Sequence, residues 1–592
     1  MKRCIVISVF LVLALNASVY CGADDWLTYC EKTGFMETPR YEQTVEFCRR
    51  LAGESDIIKF TDFGISPQGR KLPLLIVDAR GEFEPVALDE RERPVILIEA
   101  CIHAGECVGK DAGLMFLRDV AVHGNYRDIV RDVVLLFIPI FSVDGHERFG
   151  PYNRMNQLGP REMGWRTTAQ NLNLNRDFLK ADAPEMRAWL GLFTKWLPDF
   201  MMDIHTTDGL DHRYSIAYAI ANRQNMVEPV RAFINNGYLP ELNRMMVSDG
   251  YPILPYGGLR DRSDPSKGYF SWLAPPRFSH GYGAVQNRPF LLVEAHSLKE
   301  YKTRVLATYR LIANSLEIFA KHGDELIASS RDGDRVVSET LAGGEYTILY
   351  KLDREQSEPF KLMGFESEVI DSDISGDKWV RWNKKPVDFD IRIFRKADPA
   401  ESVTIPEAYI IPPQFLEQIR ILELHGVEVG RLSADQVIGV ESYKFSNIDW
   451  ADSPYESHFT VDFDLERVNE LREYPAGSAV ILCNQRTNKV IAELLEPDAY
   501  DSFVRWGFFS SIFERKEYFE DYVMEPMARD MLEEDPDLRA EFERLLEEDS
   551  TFAGSPRERL NFFYRRTPYY DQNYRVYPVG RVMNADKINI EQ

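Results

Sequence analysis

His103-Ala-Gly-Glu106 sets an imidazole and a carboxylate three residues apart just after the apolar run Val95 to Ile98, and His205 follows a second such run, Phe200 to Ile204. Two imidazoles and a carboxylate brought together at strand ends form the donor set of a catalytic zinc with one coordination position open. The His-x-x-Glu spacing alone is common and carries little weight. Its setting carries more. Val133 to Ile140 and Phe290 to Val293 are further short apolar runs, and each of the four is followed by groups capable of chemistry: His103 and Glu106, Asp144-Gly145-His146, His205, and Glu294. Runs of this length, bounded by polar or turn residues, read as buried strands of parallel type. Open α/β sheets bind ligands beyond the carboxyl ends of their strands, which is where these groups fall.

Hydrolysis at a zinc needs a base to take a proton from water and a fixed cation to meet the developing oxyanion. Glu294, at the end of an apolar strand, is poorly solvated, which raises its pKa towards a useful value while a bound cation pulls the other way. The competing reading is a structural salt bridge. Arg166 in Gly164-Trp-Arg-Thr and Arg176 in Asn171-Leu-Asn-Leu-Asn-Arg-Asp177 lie between the second and third of these strands. A guanidinium binds a carboxylate through two parallel hydrogen bonds, and Asn175 can add its amide alongside. Together they would recognise a free C-terminus. Taken singly, either arginine could equally be a surface loop charge.

Positioning these groups calls for alternating strands and helices. Residues 24 to about 331 alternate strand-like runs with helical patterns such as Gly109 to Val120 and Ala183 to Trp196, the signature of a mixed or parallel sheet with helices on its faces. A helix ending near Ala328 and the polar turn residues Ser329 to Gly333 suggest a boundary. Beyond it, Gly344 to Leu352 and Val387 to Phe394 alternate like strands. Ala408 to Pro413, Phe415 to His425 and Val427 to Val429 read as strand, helix and strand, a theme repeated by Ala479 to Leu482 and Lys489 to Leu495. Ser502 to Glu548 is helical, aromatic and acidic, and its run Glu533-Glu534-Asp535 reads as a solvated face. The expected division is 1–23 a leader, 24–330 the α/β domain with the reactive groups, 331–500 an accessory region, β-rich then α/β, and 501–592 a helical C-terminal part.

At 592 residues the chain is too long for one ordinary core. Its 44% hydrophobic and 12% aromatic content is that of a packed globular protein. The formal charge of −24 argues against nucleic acid or anionic membrane as partner, since both are bound through an excess of Lys and Arg. Lys2 and Arg3, the apolar stretch Ile5 to Leu15 and the small residues near Cys21-Gly22-Ala23 follow the three-part pattern of a secretory signal, with cleavage expected after Ala23. The stretch is too short to span a bilayer. The expectation is an exported, secreted or periplasmic protein, with no membrane association after cleavage. Lipid anchoring at Cys21 is disfavoured by the bulky Tyr20 before it. Five cysteines remain. Cys30 and Cys48 could pair, and Cys101 and Cys107 flank the proposed metal loop, where they read as buried small residues rather than soft metal ligands.

With these residues in hand, the chain resembles the carboxypeptidase A type of zinc metallocarboxypeptidase. The matching pieces, in the family's order, are His103-Ala-Gly-Glu106, Ser142-Val-Asp-Gly145 in place of Asn-Pro-Asp-Gly, Trp165-Arg166, Leu174-Asn-Arg-Asp177, Asp203-Ile-His205 and Leu292-Val-Glu294, covering about residues 45 to 320. The resemblance implies an α/β/α sandwich around a mixed sheet. It implies one zinc ion on His103, Glu106 and His205, Arg166 polarising the scissile carbonyl, Asn175 and Arg176 holding the terminal carboxylate of a peptide, and Glu294 activating water. The family also places a mobile tyrosine before the catalytic glutamate. Tyr269 and Tyr282 both fall in that region, and Tyr282 is taken for the role. The same stretch carries Arg260, Arg262, Lys267, Arg277 and Arg288, which read as exposed loop charges. His146 and His296 read as supporting or packing groups, and Asp203 or Asp208 as the carboxylate that orients an imidazole. Two other activities fit fewer of the parts: a zinc amidase or deacylase acting on small N-acyl amino acids or cell-wall peptides, and a binding protein without catalysis.

Overall fold

The computed structural model describes residues 24–586 and 588–591, so the expected leader lies outside the described residues. The chain forms two compact units. The first comprises residues 24–407, 416–429 and 481–502, and the second 408–415, 430–480 and 503–591.

The first unit runs through β1 (Ile58–Ile65), β2 (Lys71–Val77), β3 (Val95–Ala100), helix α1 (Val108–Ala121), β4 (Val134–Ile138), α2 (Pro184–Trp196), β5 (Phe200–Thr207), β6 (Ile216–Ile220), β7 (Ile253–Pro255), β8 (Gly257–Leu259), β9 (Tyr269–Ser271), α3 (Ser279–Val285), β10 (Phe290–His296), α4 (Tyr301–Lys321) and α5 (Gly323–Thr340), among shorter elements. Eight strands make one mixed sheet in the order β1-β2-β4-β3-β5-β10-β6-β7. Its centre, β4-β3-β5-β10, is parallel, and antiparallel pairs flank it. The four central strands are buried along almost their whole length, which accounts for apolar runs without polar alternation.

Side chains two apart on a strand share a face, and this period sorts the residues of the site. Ile96, Ile98, Met202, Ile204, Leu291 and Val293 join one core with α1 and α4. The alternate residues of β5 and β10, among them Asp203, His205, Leu292 and Glu294, therefore point to the opposite face. There Phe290 packs with Trp189 and Phe193 of α2 and Tyr282 of α3, at ring separations of 5.7–6.4 Å. Helices thus cover both faces of a mixed sheet, the α/β/α sandwich expected from the sequence.

The structure corrects the reading of Ser329 to Gly333 as a break. Helix α5 continues through them to Thr340, with Ser329, Ser330 and Gly333 buried. A Cβ on Gly333 would lie 3.0–3.1 Å from methyl groups of Val227 and Val230, so the glycine serves close helix packing rather than a turn. After α5 come β11 (Glu345–Leu352), β12 (Glu358–Asp371), β13 (Lys378–Phe394) and β14 (Ala397–Thr404). Long antiparallel pairing joins β12 to β13, and β9 adds to β13 in parallel.

In the second unit, Gln436–Trp450 pairs antiparallel with Val461–Tyr474, and the sheet continues through Gly580–Val582 to Ala408–Ile411. Helices Asp521–Glu534, Pro536–Glu548 and Pro556–Tyr564 share a separate small core around Met524, Leu538 and Phe563. Among the described residues no helix is long and apolar enough to cross a membrane. Cys30, Cys48, Cys101, Cys107 and Cys483 are all buried and free, so the possible Cys30 to Cys48 pairing is not formed.

Candidate active site

His103 and Glu106 occupy the loop between β3 and α1, and His205 stands near the end of β5. Their donor atoms lie within 4.8 Å of one another and all three side chains are buried. Both imidazoles turn Nδ1 inward: His103 Nδ1 is 3.1 Å from Glu106 Oε1, His205 Nδ1 is 3.0 Å from Glu106 Oε2, and the two Nδ1 atoms are 3.2 Å apart. The outer nitrogens are held from behind, His103 Nε2 by Asn173 Oδ1 at 3.0 Å and His205 Nε2 by Asp203 Oδ2 at 2.8 Å. Partners of this kind fix the ring and leave the inner nitrogen's lone pair for a metal. Burial pushes His103 down to about 4, which keeps it neutral and able to ligate. The donor types, their convergence and their seclusion from solvent suit a zinc ion.

Of the two carboxylates offered as imidazole partners, Asp203 takes the position. Asp208 instead accepts a hydrogen bond from Asn156 at 2.7 Å. His146 lies between Lys110 Nζ at 2.9 Å and Glu147 Oε1 at 3.1 Å, and His296 faces Asp211, so neither joins the triad.

Glu294 pairs in parallel register with His205 and lines the same cleft, whose volume is about 490 Å³. Burial, with the charges of Glu106 and Asp203 adding to it and His205 opposing, pushes Glu294 up to about 8. A carboxyl raised from 4.5 in the unfolded chain to about 8 in the fold binds more protons folded than unfolded through that interval. Its contribution to stability is therefore complete below about pH 4.5 and lost as pH rises through about 8. In urea titrations of metal-free protein, the loss across that window should be smaller for Glu294→Gln than for the unsubstituted chain; equal slopes would contradict the assignment.

Arg166, Asn175 and Arg176 line the cleft as well. Asn175 and Arg176 sit on the short turn Leu174–Arg176, which Asn173 caps by accepting a hydrogen bond from Asn175 N at 3.1 Å. The same Asn173 oxygen holds His103, so one side chain sets the turn relative to the metal loop. Arg176 stacks on Phe278, its guanidinium carbon 4.0 Å from the ring centroid. Asn175 Oδ1 is buried without a hydrogen-bond partner. Arg166 Nη1 approaches Glu106 Oε1 at 3.7 Å, and its side chain is 41% exposed, open to a ligand in the cleft.

Tyr282 is not in the cleft. It is fully buried among Trp189, Phe193 and Phe290, with its hydroxyl 2.8 Å from His425 Nδ1 and accepting from Gln286 Nε2 at 2.7 Å. Its place on the core side of α3 reflects packing, not reach towards a substrate. Tyr269 is also buried and donates to Pro255 O at 2.9 Å. The tyrosine that lines the cleft is Tyr256, whose pKa is raised first by the Glu294 charge and then by burial. It lies where β7 gives way to β8, and Gly257 beside it lets β8 approach β9, since a Cβ there would lie 1.8 Å from Phe270 O.

Two further groups escaped the sequence reading. Asn173 is one, and Arg154, whose Nη2 lies 2.7 Å from Glu106 Oε1, is the other. The five basic residues of the loop segment do not line the cleft. Arg288, expected as an exposed charge, is fully buried and clamps Asp334 through both Nη atoms at 2.9 and 2.7 Å, and Arg277 pairs with Asp501 at 2.7 Å.

Two inward-facing imidazoles and a carboxylate on one side of a cleft, with a buried carboxyl and guanidinium groups around them, define the class of metal-dependent hydrolases. Residues 44–208, which include His103, Glu106 and His205, match the zinc carboxypeptidase family. Among its relatives are Carboxypeptidase 2 of Trichophyton rubrum, 21% identical over 485 residues that cover 79% of this chain and 84% of the relative, and Carboxypeptidase 2 of Trichophyton tonsurans, 22% identical over 491 residues with the same coverage. A crystal structure of a putative carboxypeptidase A from Shewanella denitrificans aligns with 48% of this chain and 69% of its own, at 15% identity and a TM-score of 0.37.

Proposed function

We propose that the protein is an exported zinc carboxypeptidase that hydrolyses the C-terminal peptide bond of peptides with a free C-terminus. The observation that carries this reading is the convergence of a metal-donor triad, a buried carboxyl and a carboxylate clamp, Asn175 and Arg176, on one cleft. The secretory pattern at the N-terminus supports the exported part, secreted or periplasmic.

His103, Glu106 and His205 would hold the zinc, which when bound lowers the pKa of its water and polarises a carbonyl. Arg176, with Asn175 beside it, grips the terminal carboxylate, and this fixes which peptide bond reaches Glu294. Glu294 takes the proton of the attacking water and returns it to the leaving amine, roles for which a pKa near neutrality is best suited. Arg166 meets the negative charge that develops on the carbonyl oxygen. Tyr256, facing Glu294, covers the bound residue and excludes water.

Arg176→Ala tests the clamp. Loss of a charge-assisted pair costs several kcal/mol, so kcat/KM on peptides with free C-termini should fall on the order of 100-fold. Unsubstituted enzyme should leave C-terminally amidated peptides nearly untouched. Equal turnover of free and amidated peptides would rule the clamp out and favour an amidase.

A further inference from the structure

A second pocket of the first unit, about 690 Å³ in volume, is lined by Asn222, Arg223, Arg231, Glu358, Arg395 and Lys396, among others. Four cations therefore face one carboxylate, on a chain whose formal charge is −24. Glu358 is already engaged by Arg395, and Lys396 is met by Asp398 at 2.9 Å and Asp353 at 3.5 Å. Arg223 and Arg231 are left over. Arg223 Nη2 donates to Ser271 Oγ at 2.6 Å, while its Nη1 is buried with no hydrogen-bond partner. Arg231 forms no ion pair among the described residues. Beside them Asn222 and Asn235 brace the rim through reciprocal bonds, Asn222 Nδ2 to Asn235 Oδ1 at 2.9 Å and Asn235 Nδ2 to Asn222 O at 3.0 Å.

An unpaired, buried guanidinium donor is costly, and like charges gathered around it add to the cost. The strain shows in Arg223, which burial and then the Arg395 charge push down to about 10. Two guanidinium groups without a carboxylate partner among the described residues, one of them with a buried unpaired donor, suit an anionic ligand. Forked guanidinium donors from two or more arginines match the several oxygens and double charge of a phosphate better than the two oxygens of a single carboxylate.

We propose that the pocket around Arg223 and Arg231 is a binding site for a phosphate group, either free phosphate or a small phosphomonoester. The pocket shares no lining residue with the cleft, and its test does not depend on peptidase activity.

The experiment is thermal unfolding of the full-length protein with increasing inorganic phosphate or glycerol phosphate, each against sodium chloride at matched ionic strength. A ligand that binds only the folded state raises Tm, on the order of 2–3 °C at about a hundredfold excess over Kd. A stronger response to glycerol phosphate would assign the ester as the ligand, and an equal or weaker one free phosphate. Arg223→Gln and Arg231→Gln should each weaken the response at least tenfold. Arg231 is partly exposed, so its substitution should leave the fold intact if loss of the Arg223 to Ser271 bond proves disruptive. Phosphate held instead by Arg166 and Arg176 in the cleft would keep its full effect in both variants. That result, or a shift no larger than chloride gives, would overturn the proposal.

Discussion

Glu294→Gln should abolish peptide hydrolysis while leaving metal content unchanged. The amide keeps the size and burial of the carboxyl but cannot accept a proton at neutral pH, and loss of a positioned general base costs 10²–10⁴-fold in rate. The fall should appear in kcat and kcat/KM alike, because the missing proton transfer belongs to the transition state and not to substrate binding. Metal should stay at the unsubstituted level, since Glu294 is outside the donor triad. A variant with full activity would remove Glu294 from the mechanism. A variant that lost its metal would place it among the ligands.

His205→Ala is expected to lose both metal and activity. Two donors remain, and a zinc site with three protein ligands does not survive at useful affinity on two. The substitution also leaves Asp203 buried without the imidazole that meets it at 2.8 Å, and Glu106 without one of its partners. An uncompensated buried carboxylate destabilises, so the variant should also unfold at lower urea than unsubstituted protein. Metal retained with normal stoichiometry would contradict the assignment of His205 as a ligand. Asp203→Asn would give a milder form, with metal affinity weakened about 10–100-fold, as loss of an outer partner usually does.

The part of the site built on strands was legible in the sequence. β3, β5 and β10 read as strands because parallel strands covered on both faces must be apolar throughout, and the residues just after them had nowhere to stand but the sheet's carboxyl edge. In the structure the parallel register that sets Glu294 beside His205 puts both on one face. Of the groups on loops and short turns, His103, Glu106, Arg166, Asn175 and Arg176 were legible through their short motifs, and the rest were not. Arg154 and Asn173 lie in irregular segments where no period assigns a direction, and each acts on a residue far away in sequence: Arg154 on Glu106, Asn173 on His103. Tyr282 and Tyr256 illustrate the same limit. Both lie upstream of Glu294, and only the turn of α3 into the aromatic core, against the opening of β7 towards the cleft, separates them. Arg288 and Gly333 misled for a different reason. Composition marks arginine as exposed and glycine as a turn, but packing overrode both, by a fully formed pair with Asp334 and by close contact with Val227 and Val230.

The most direct measurement is mass spectrometry of a peptide mixture incubated with the zinc-loaded protein, comparing free with amidated C-termini and untreated enzyme with enzyme exposed to a chelator. The account predicts loss of single residues from free C-termini only, stopped by the chelator and restored by zinc. Internal cleavage, or cleavage that ignores the state of the C-terminus or the removal of metal, would contradict it.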